Sequence, residues 1–313
     1  MRILISCPPM LGMIDNFQDT FNEFHIELVT PEITQCLTAE ELIVILPSCD
    51  AWIAGDDPAN REVLTAGKNG RLKSVVKWGV GTDNVDIVAC KDLGISFTNT
   101  PDVFGKEVAD VAVSYCIALA RQLFQIDRAV RSGNWLKIRG TSLDGKNAAI
   151  VGFGSIGIEL ASRVRALNMN VSIYDPSPKY PIPDDYTHLV WPNSIESVDF
   201  LFLVCPLTKS TYHLINKSIL KVTKPSLQII NVSRGQLIDE VALMDALNKS
   251  LVGGIAMDVF ETEPPDTSTS LLQMEHCIFG SHNSSNTNEA VKRASYAAID
   301  AIMTSFSNKD NDR

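Results

Sequence analysis

The chain has 313 residues, 45% of them hydrophobic and 20% charged, and a formal net charge of −10. That length suggests about two domains with a real core, and the acidic balance argues against a general nucleic-acid binder, which needs a basic face. No apolar run is long enough to span a bilayer, and the N-terminus leads into a strand pattern rather than a signal peptide. Seven scattered cysteines (Cys7, Cys36, Cys49, Cys90, Cys116, Cys205 and Cys277) form no C-x-x-C pair. They fit the buried thiols of a reducing cytoplasm better than a disulfide framework.

In chain order, Arg2–Cys7 reads as a strand, 39–46 as a helix and Ala51–Ala54 as a second strand. Helix 61–66, strand Ser74–Lys77, helix 86–93 and strand 95–98 complete a first βα series. Thr100-Pro101 punctuates it. A long, largely apolar helix over 107–122 follows, its girdle suited to burial between domains or subunits. A second series runs through strands at 148–151, 171–174, 200–204, 228–232, 254–257 and 277–280, and ends in a helix over 288–304 and a polar tail, 308–313, expected to fray. Strands alternating with helices in this way predict an α/β fold built on parallel sheets.

The second series opens with the most specific signal in the chain. The apolar run Ala148–Val151 drops into Gly152-Phe153-Gly154-Ser155-Ile156-Gly157, a helical segment over 158–167 follows, and the next strand ends in Asp175. Gly152 permits the tight turn, Gly154 lets the backbone approach a pyrophosphate, and Gly157 lets helix and strand pack closely. The helix N-terminus, with Ser155 and Ile156, offers N–H groups and partial positive charge to phosphates. Asp175 suits two ribose hydroxyls and would repel a 2′-phosphate, which favours NAD over NADP.

Ligands of such sheets bind at the carboxyl ends of strands, and three of these ends carry reactive side chains. Ser233-Arg234-Gly235 follows the strand ending at Val232, itself a candidate cofactor contact; Asp258, Glu261 and Glu263 follow Met257; Ser281-His282 follows Gly280. Singly, Arg234 reads as a surface ion-pair residue, 261–265 as a solvated acidic turn and His282 as a surface or N-cap residue. Together, beyond a dinucleotide fingerprint, they suit hydride transfer between nicotinamide and a 2-hydroxy acid. An arginine binds the carboxylate and polarises the C2 oxygen, a histidine exchanges the hydroxyl proton, and an acid orients the imidazole. Arg234, His282 and Glu263 take these roles, and His25, His188, His213 and His276 lack the setting. No metal site is expected.

In the first series, Lys77-Trp78-Gly79-Val80-Gly81-Thr82-Asp83 joins a strand to a helix. Its glycines let backbone N–H groups converge on an anion. The N–H groups of Val80 and Gly81 are candidates for a substrate carboxylate, with Lys77 as an extra cation.

The segments 79–86, Thr98-Asn99-Thr100-Pro101, 152–157, Cys205-Pro206-Leu207-Thr208, 231–235, 258–264 and Ser281-His282 resemble, in order, the motifs of the D-isomer-specific 2-hydroxyacid dehydrogenases. The resemblance spans almost the whole chain. It implies two Rossmann-like, doubly wound parallel-sheet domains: a substrate domain from 1–99 plus 284–313, and an NAD domain from 100–283, with the active site in the cleft between them. It implies Arg234, Glu263 and His282 as the catalytic trio and Asp258 as a contact to the nicotinamide amide. Cys205 and Pro206 would form an adenine-pocket wall, and Thr211 a pyrophosphate-side contact. It also implies a homodimer through the NAD domain, using the 107–122 helix and the arm around Trp135.

Ser155, Asn283-Ser284-Ser285 and Asp110 depart from the residues common in the family. The branch most like the chain contains 3-phosphoglycerate dehydrogenases and hydroxypyruvate/glyoxylate reductases, so the expected substrate is 3-phosphoglycerate or a related short 2-hydroxy acid. Yet Ala54-Gly55-Asp56-Asp57 is acidic where a phosphate would want cations. The alternatives on the same fold are an NAD-sensing, corepressor-like binding protein and a dehydrogenase of phosphite-like anions.

Overall fold

A computed structural model describes residues 1–310, with side chains to Ser307. The chain divides into a unit of Met1–Val103 joined by the segment from Asn286, and a unit of Phe104–Ser285.

The first unit runs β1 (Arg2–Ile5), α1 (Pro8–Leu11), α2 (Gln18–Glu23), β2 (Glu27–Val29), α3 (Ala39–Ile45), β3 (Ala51–Ala54), α4 (Arg61–Asn69), β4 (Ser74–Lys77), α5 (Ile87–Asp92) and β5 (Ser96–Asn99). The strands pair in the order β2-β1-β3-β4-β5, every neighbour parallel. All carboxyl ends therefore share one edge, and the order reverses between β1 and β3. Every residue of β3 and β4 is buried, as in strands covered on both faces. The helices start on polar residues whose side chains accept first-turn N–H groups: Thr38 in a capping box for α3, Asn60 for α4 and Asp86 for α5.

The second unit runs α6 (Gly105–Arg121), α7 (Leu123–Arg131), β6 (Asn147–Val151), α8 (Ser155–Ala166), β7 (Asn170–Tyr174), β8 (Thr187–Leu189), β9 (Phe200–Leu203), α9 (Lys217–Leu220), β10 (Gln228–Asn231), α10 (Glu240–Asn248), β11 (Gly254–Met257) and β12 (Ile278–Phe279). Its sheet is again wholly parallel, in the order β12-β11-β10-β9-β6-β7-β8. The order reverses between β6 and β9, the switch point where doubly wound sheets open a crevice for ligands. The glycine fingerprint leaves β6 at that point.

Helix α11 (Asn288–Asp310) returns to the first unit. It buries Ala290, Val291, Ala294, Ala298 and Ile302 and packs on β4 and β5. Its Ser295 Oγ accepts from Trp78 Nε1 at 3.1 Å.

Some boundaries differ from the sequence reading for local reasons. The long helix begins at Gly105 and stops at Arg121 because Gln122 takes a left-handed conformation, φ 53° and ψ 39°, and α7 starts anew beyond it. The fingerprint helix starts at Ser155, inside the motif, with Gly154 as its N-cap. The last helix continues past Thr304 to Asp310, and the end of the expected frayed tail, 311–313, lies outside the described residues. Strands β2 and β8, three residues each, escaped the sequence reading. They are half-exposed sheet edges, too short to show a period.

Candidate active site

The three fingerprint glycines sit in three different settings. Gly152 has φ +102°, and a Cβ there would come within 2.8 Å of the Cys205 backbone. At Gly157 a Cβ would stand 2.2 Å from the Gly152 carbonyl oxygen, so the helix can lie this close to its strand only without a side chain. Gly154 is the opposite case: a Cβ would meet nothing within 4 Å. The fold therefore leaves open space over Gly154 that packing does not explain. Whereas α9 and α10 are capped by Asn216 and Asp239 side chains, α8 has no side-chain cap. The N–H groups of Ser155, Ile156 and Gly157 donate to no other group among the described residues. An uncapped helix start facing open space fits a pyrophosphate.

Asp175 stands at the tip of β7. Its Oδ2 accepts from the Phe153 N–H at 2.7 Å and its Oδ1 from the Ser177 N–H at 2.9 Å. The carboxylate is thereby held against the glycine turn. Cys205 and Pro206 leave β9 across the switch point. Cys205 is buried, its thiol pushed up to about 12 by desolvation, and its carbonyl accepts from Ser233 Oγ. Thr211 closes its own turn, donating to the Pro206 carbonyl at 2.8 Å and accepting from the Thr208 N–H at 2.7 Å. Val232 is buried at the exit of β10.

The remaining reactive residues leave three adjacent strands, β10, β11 and β12. His282 lies three residues past β12, its Nδ1 2.7 Å from Glu263 Oε2. Glu263 Oε1 accepts from the Phe260 N–H at 3.0 Å, which anchors the carboxylate to its own loop. His282 has φ +54°, and its N–H donates to the Asp258 carbonyl at 2.6 Å. A non-glycine residue held in that region marks an over-determined position. Arg234 lies past β10, in a loop pinned by Asn231, whose side chain donates to the Arg234 carbonyl and accepts from the Ser233 N–H. The next residue sets the spacing between loops. A Cβ on Gly235 would fall 1.9 Å from the Phe260 carbonyl carbon, so the arginine and glutamate loops touch backbone to backbone.

Several neighbours were not legible from the sequence. Asp258, 2% exposed, accepts from the Ser284 N–H at 2.8 Å and also from the Ser284 hydroxyl. Tyr115 of α6 donates to its Oδ1 at 3.5 Å, and burial, then the Asp258 charge, pushes the phenol well above its ordinary range. Ser284, which stood out as a departure from the family pattern, thus ties the β12 exit to the Asp258 side chain. His213 also has a partner: its Nε2 lies 2.5 Å from Glu261 Oε1. The Glu261 N–H in turn donates to Glu240 at 2.7 Å. Glu240 is raised from the usual carboxylate range by desolvation, opposed by the hydrogen bond from the Glu261 N–H and reinforced by the charges of Glu261 and Glu263.

In the first unit, the Val80 and Gly81 N–H groups donate to no other group among the described residues, and Val80 is exposed. Gly79, with φ +127°, donates its own N–H to Thr100 Oγ1 at 2.8 Å, fixing the turn. Lys77 is 3% exposed. Its ammonium donates to Asp56 Oδ1 at 3.0 Å and to the Trp78 carbonyl at 3.2 Å, so its charge is already paired. No cluster of His, Cys, Asp and Glu able to hold a metal occurs among the described residues, and no helix among them is long and apolar enough to cross a membrane.

A doubly wound sheet with this fingerprint, and a histidine, its acid and an arginine at adjacent strand ends, define a nicotinamide-dependent oxidoreductase. The NAD-binding domain model of the D-isomer-specific 2-hydroxyacid dehydrogenases matches residues 113–284. A hydroxypyruvate reductase of Thermotoga maritima is 33% identical over 273 residues, covering 85% of this chain and 88% of that protein. A D-3-phosphoglycerate dehydrogenase of Archaeoglobus fulgidus is 33% identical over 295 residues, covering 93% of this chain but only 54% of that protein. The crystal structure of a glyoxylate reductase from Paecilomyes thermophila superposes with a TM-score of 0.82 at 26% identity, covering 96% of this chain and 93% of that one. The chain belongs to the D-isomer-specific 2-hydroxyacid dehydrogenase family. As such it is an NAD-dependent enzyme acting on CH–OH donors, with two Rossmann-type parallel-sheet domains.

Proposed function

We propose that this enzyme interconverts a short 2-oxo acid and its D-2-hydroxy acid, with His282 as the acid/base. The observation that carries this reading is the 2.7 Å contact between His282 Nδ1 and Glu263 Oε2. A ring held at Nδ1 by a carboxylate exchanges its working proton at Nε2. His282 gives that proton to the C2 oxygen in reduction and takes it back in oxidation, while Glu263 stabilises the imidazolium. Arg234 binds the carboxylate and polarises the C2 oxygen through its guanidinium fork. In the first unit, the Val80 and Gly81 N–H groups form a backbone nest suited to a carboxylate. When bound, NAD(H) supplies or accepts the hydride at C2.

The unit holding the fingerprint is the NAD domain, and Met1–Val103 with the returning helix is the substrate domain. Gly152, Gly154, Ser155, Ile156 and Gly157 receive the pyrophosphate and Asp175 the ribose. Cys205, Pro206, Thr211 and Val232 line the rest, and Asp258, fixed by Ser284, meets the nicotinamide amide. The second unit exposes Leu123, Phe124, Val130, Trp135 and Leu136, which supports a homodimer through that unit. Seven free cysteines, six of them buried, support a reducing, cytoplasmic setting.

The test is NADH oxidation across glyoxylate, hydroxypyruvate, 3-phosphohydroxypyruvate and bulkier 2-oxo acids. Turnover of at least one short acid is expected, and its loss in both Arg234→Ala and His282→Ala. A chain inert toward every 2-oxo acid overturns the reading.

A further inference from the structure

The substrate edge of the first unit carries an unusual charge distribution. All five strands are parallel, so the segments leaving them gather at one edge. Those segments (6–7, 30–38, 55–60, 78–86 and 100–103) contain Glu32, Asp56, Asp57, Asp83, Asp86 and Asp102, and not one Arg, Lys or His. Within this unit the helices that start there add little positive field, because α3, α4 and α5 are closed by their own side chains and α1 opens on Pro8 and Pro9, which have no N–H to offer. Lys77, the last residue of β4, is the cation of the sheet nearest this edge, and Asp56 neutralises it at 3.0 Å. Arg293 of α11 reaches the exit of β5, where its guanidinium donates twice to the Val103 carbonyl.

The position of Asp56 is fixed tightly. Gly55, before it, has no room for a side chain, since a Cβ would lie 2.8 Å from the Ser6 carbonyl oxygen. Asp57, after it, is fully buried and accepts from the Leu37 N–H at 2.7 Å, the Gly55 N–H at 2.9 Å and Ser6 Oγ. Both flanks therefore hold the 55–57 turn at the β1/β3 switch point, with the Asp56 side chain still about one-third exposed at 37%.

A phosphoryl group carries close to two negative charges and needs cations or unpaired N–H donors. The edge offers one nest, which the substrate's own carboxylate takes, a lysine already matched by an acid, and Arg293, two of whose N–H groups are turned onto the Val103 carbonyl. Resting on the functional reading above, we infer that the enzyme is selective for short 2-oxo acids with an uncharged C3 substituent. On this inference Asp56, through its pair with Lys77, is the residue that rejects a C3 phosphate. The natural acceptor is then of the glyoxylate or hydroxypyruvate type rather than the phosphorylated type.

The experiment compares kcat/KM for hydroxypyruvate and 3-phosphohydroxypyruvate, with NADH, in the wild type and in Asp56→Asn. Asparagine keeps an acceptor for Lys77 and removes the charge. The wild type is expected to favour hydroxypyruvate by about 100-fold or more. Asp56→Asn is expected to shrink that ratio at least fivefold through the KM of the phosphorylated acid. A wild-type ratio below tenfold, or a variant ratio within fivefold of the wild type, overturns the inference while leaving the dehydrogenase reading intact. Failure to reduce any 2-oxo acid overturns both. The wild type supplies a second measurement free of mutation: competitive inhibition by D-glycerate is expected to be at least tenfold stronger than by 3-phosphoglycerate, and equal inhibition sinks the proposal.

Discussion

Nδ1 of His282 and Oε2 of Glu263 are 2.7 Å apart, and the other oxygen of the same carboxylate is held at 3.0 Å by the Phe260 N–H. The imidazole is therefore oriented by a group that is itself tied to backbone. On the proposed acid/base assignment, His282→Ala is expected to lower kcat/KM for the 2-oxo acid by about 10²–10⁴-fold. Glu263→Gln keeps a hydrogen-bond acceptor but loses the charge, so a smaller loss is expected. In both variants NADH affinity, read by fluorescence titration, should stay within about twofold of the wild type. A His282→Ala enzyme with near-full turnover removes His282 from the chemistry.

The glycine turn allows a two-way prediction. Gly157→Ala forces a Cβ to within 2.2 Å of the Gly152 carbonyl oxygen, an overpacking expected to cost about 1–3 kcal/mol. Gly154→Ala meets no neighbour within 4 Å and should change stability by less than about 0.5 kcal/mol. Its cost should fall on NADH instead, with Kd weakened about tenfold or more, because the new methyl occupies pyrophosphate space. Thermal melts with and without NADH separate the two. Equal effects on both readouts would contradict the assignment of Gly154 to the cofactor.

On the proposed cofactor assignment, Asp175 is expected to set the nucleotide preference. The wild type is expected to prefer NADH over NADPH, since the carboxylate repels a 2′-phosphate. In Asp175→Asn the contact to the Phe153 N–H survives through the amide oxygen. The variant should lose about tenfold in kcat/KM with NADH and gain with NADPH. Steady-state kinetics with both nucleotides check this.

Glu240 gives a pH-dependent prediction. Its folded-state pKa is raised by desolvation, with Glu261 and Glu263 contributing. A carboxyl raised on folding binds its proton more tightly in the native state. Its contribution to stability is therefore most favourable below the ordinary value of 4.5 and declines as pH rises from there through the raised value. Glu240→Gln can still accept from the Glu261 N–H and does not ionise. The variant should gain in Tm relative to the wild type as pH rises from about 4 to 7. A difference in Tm that is flat across that range refutes the linkage.

The glycine fingerprint and the Arg234, Glu263 and His282 strand exits were legible in the sequence because each depends on local order: a strand, a turn and a fixed offset. Ties across strands were not. Lys77 and Asp56 are 21 positions apart, and nothing in either segment announces their contact until β3 and β4 pair in register, Ala54 opposite Lys77. Tyr115, 143 residues from Asp258, and Ser284, 26 residues from it, meet at that one carboxylate. Only the fold brings a helix and two strand exits to that carboxylate. His213 was set aside as lacking a catalytic setting, and its partner Glu261 lies 48 residues away. The helix break at Gln122 leaves no sequence mark, because glutamine rarely adopts a left-handed backbone.

The return of α11 to the first unit has a consequence for biosynthesis. The face of β4 and β5 is covered by Ala290, Val291, Ala294, Ala298 and Ile302, residues that emerge from the ribosome only after Phe104–Ser285 has been made. The nucleotide-binding unit can mature while translation continues, whereas the unit begun first must wait for its own lid of small side chains. A nascent chain arrested near Ser285 should therefore expose the Trp78 indole, which in the finished protein is 5% exposed and donates to Ser295. Chaperone binding should concentrate on that interval of synthesis.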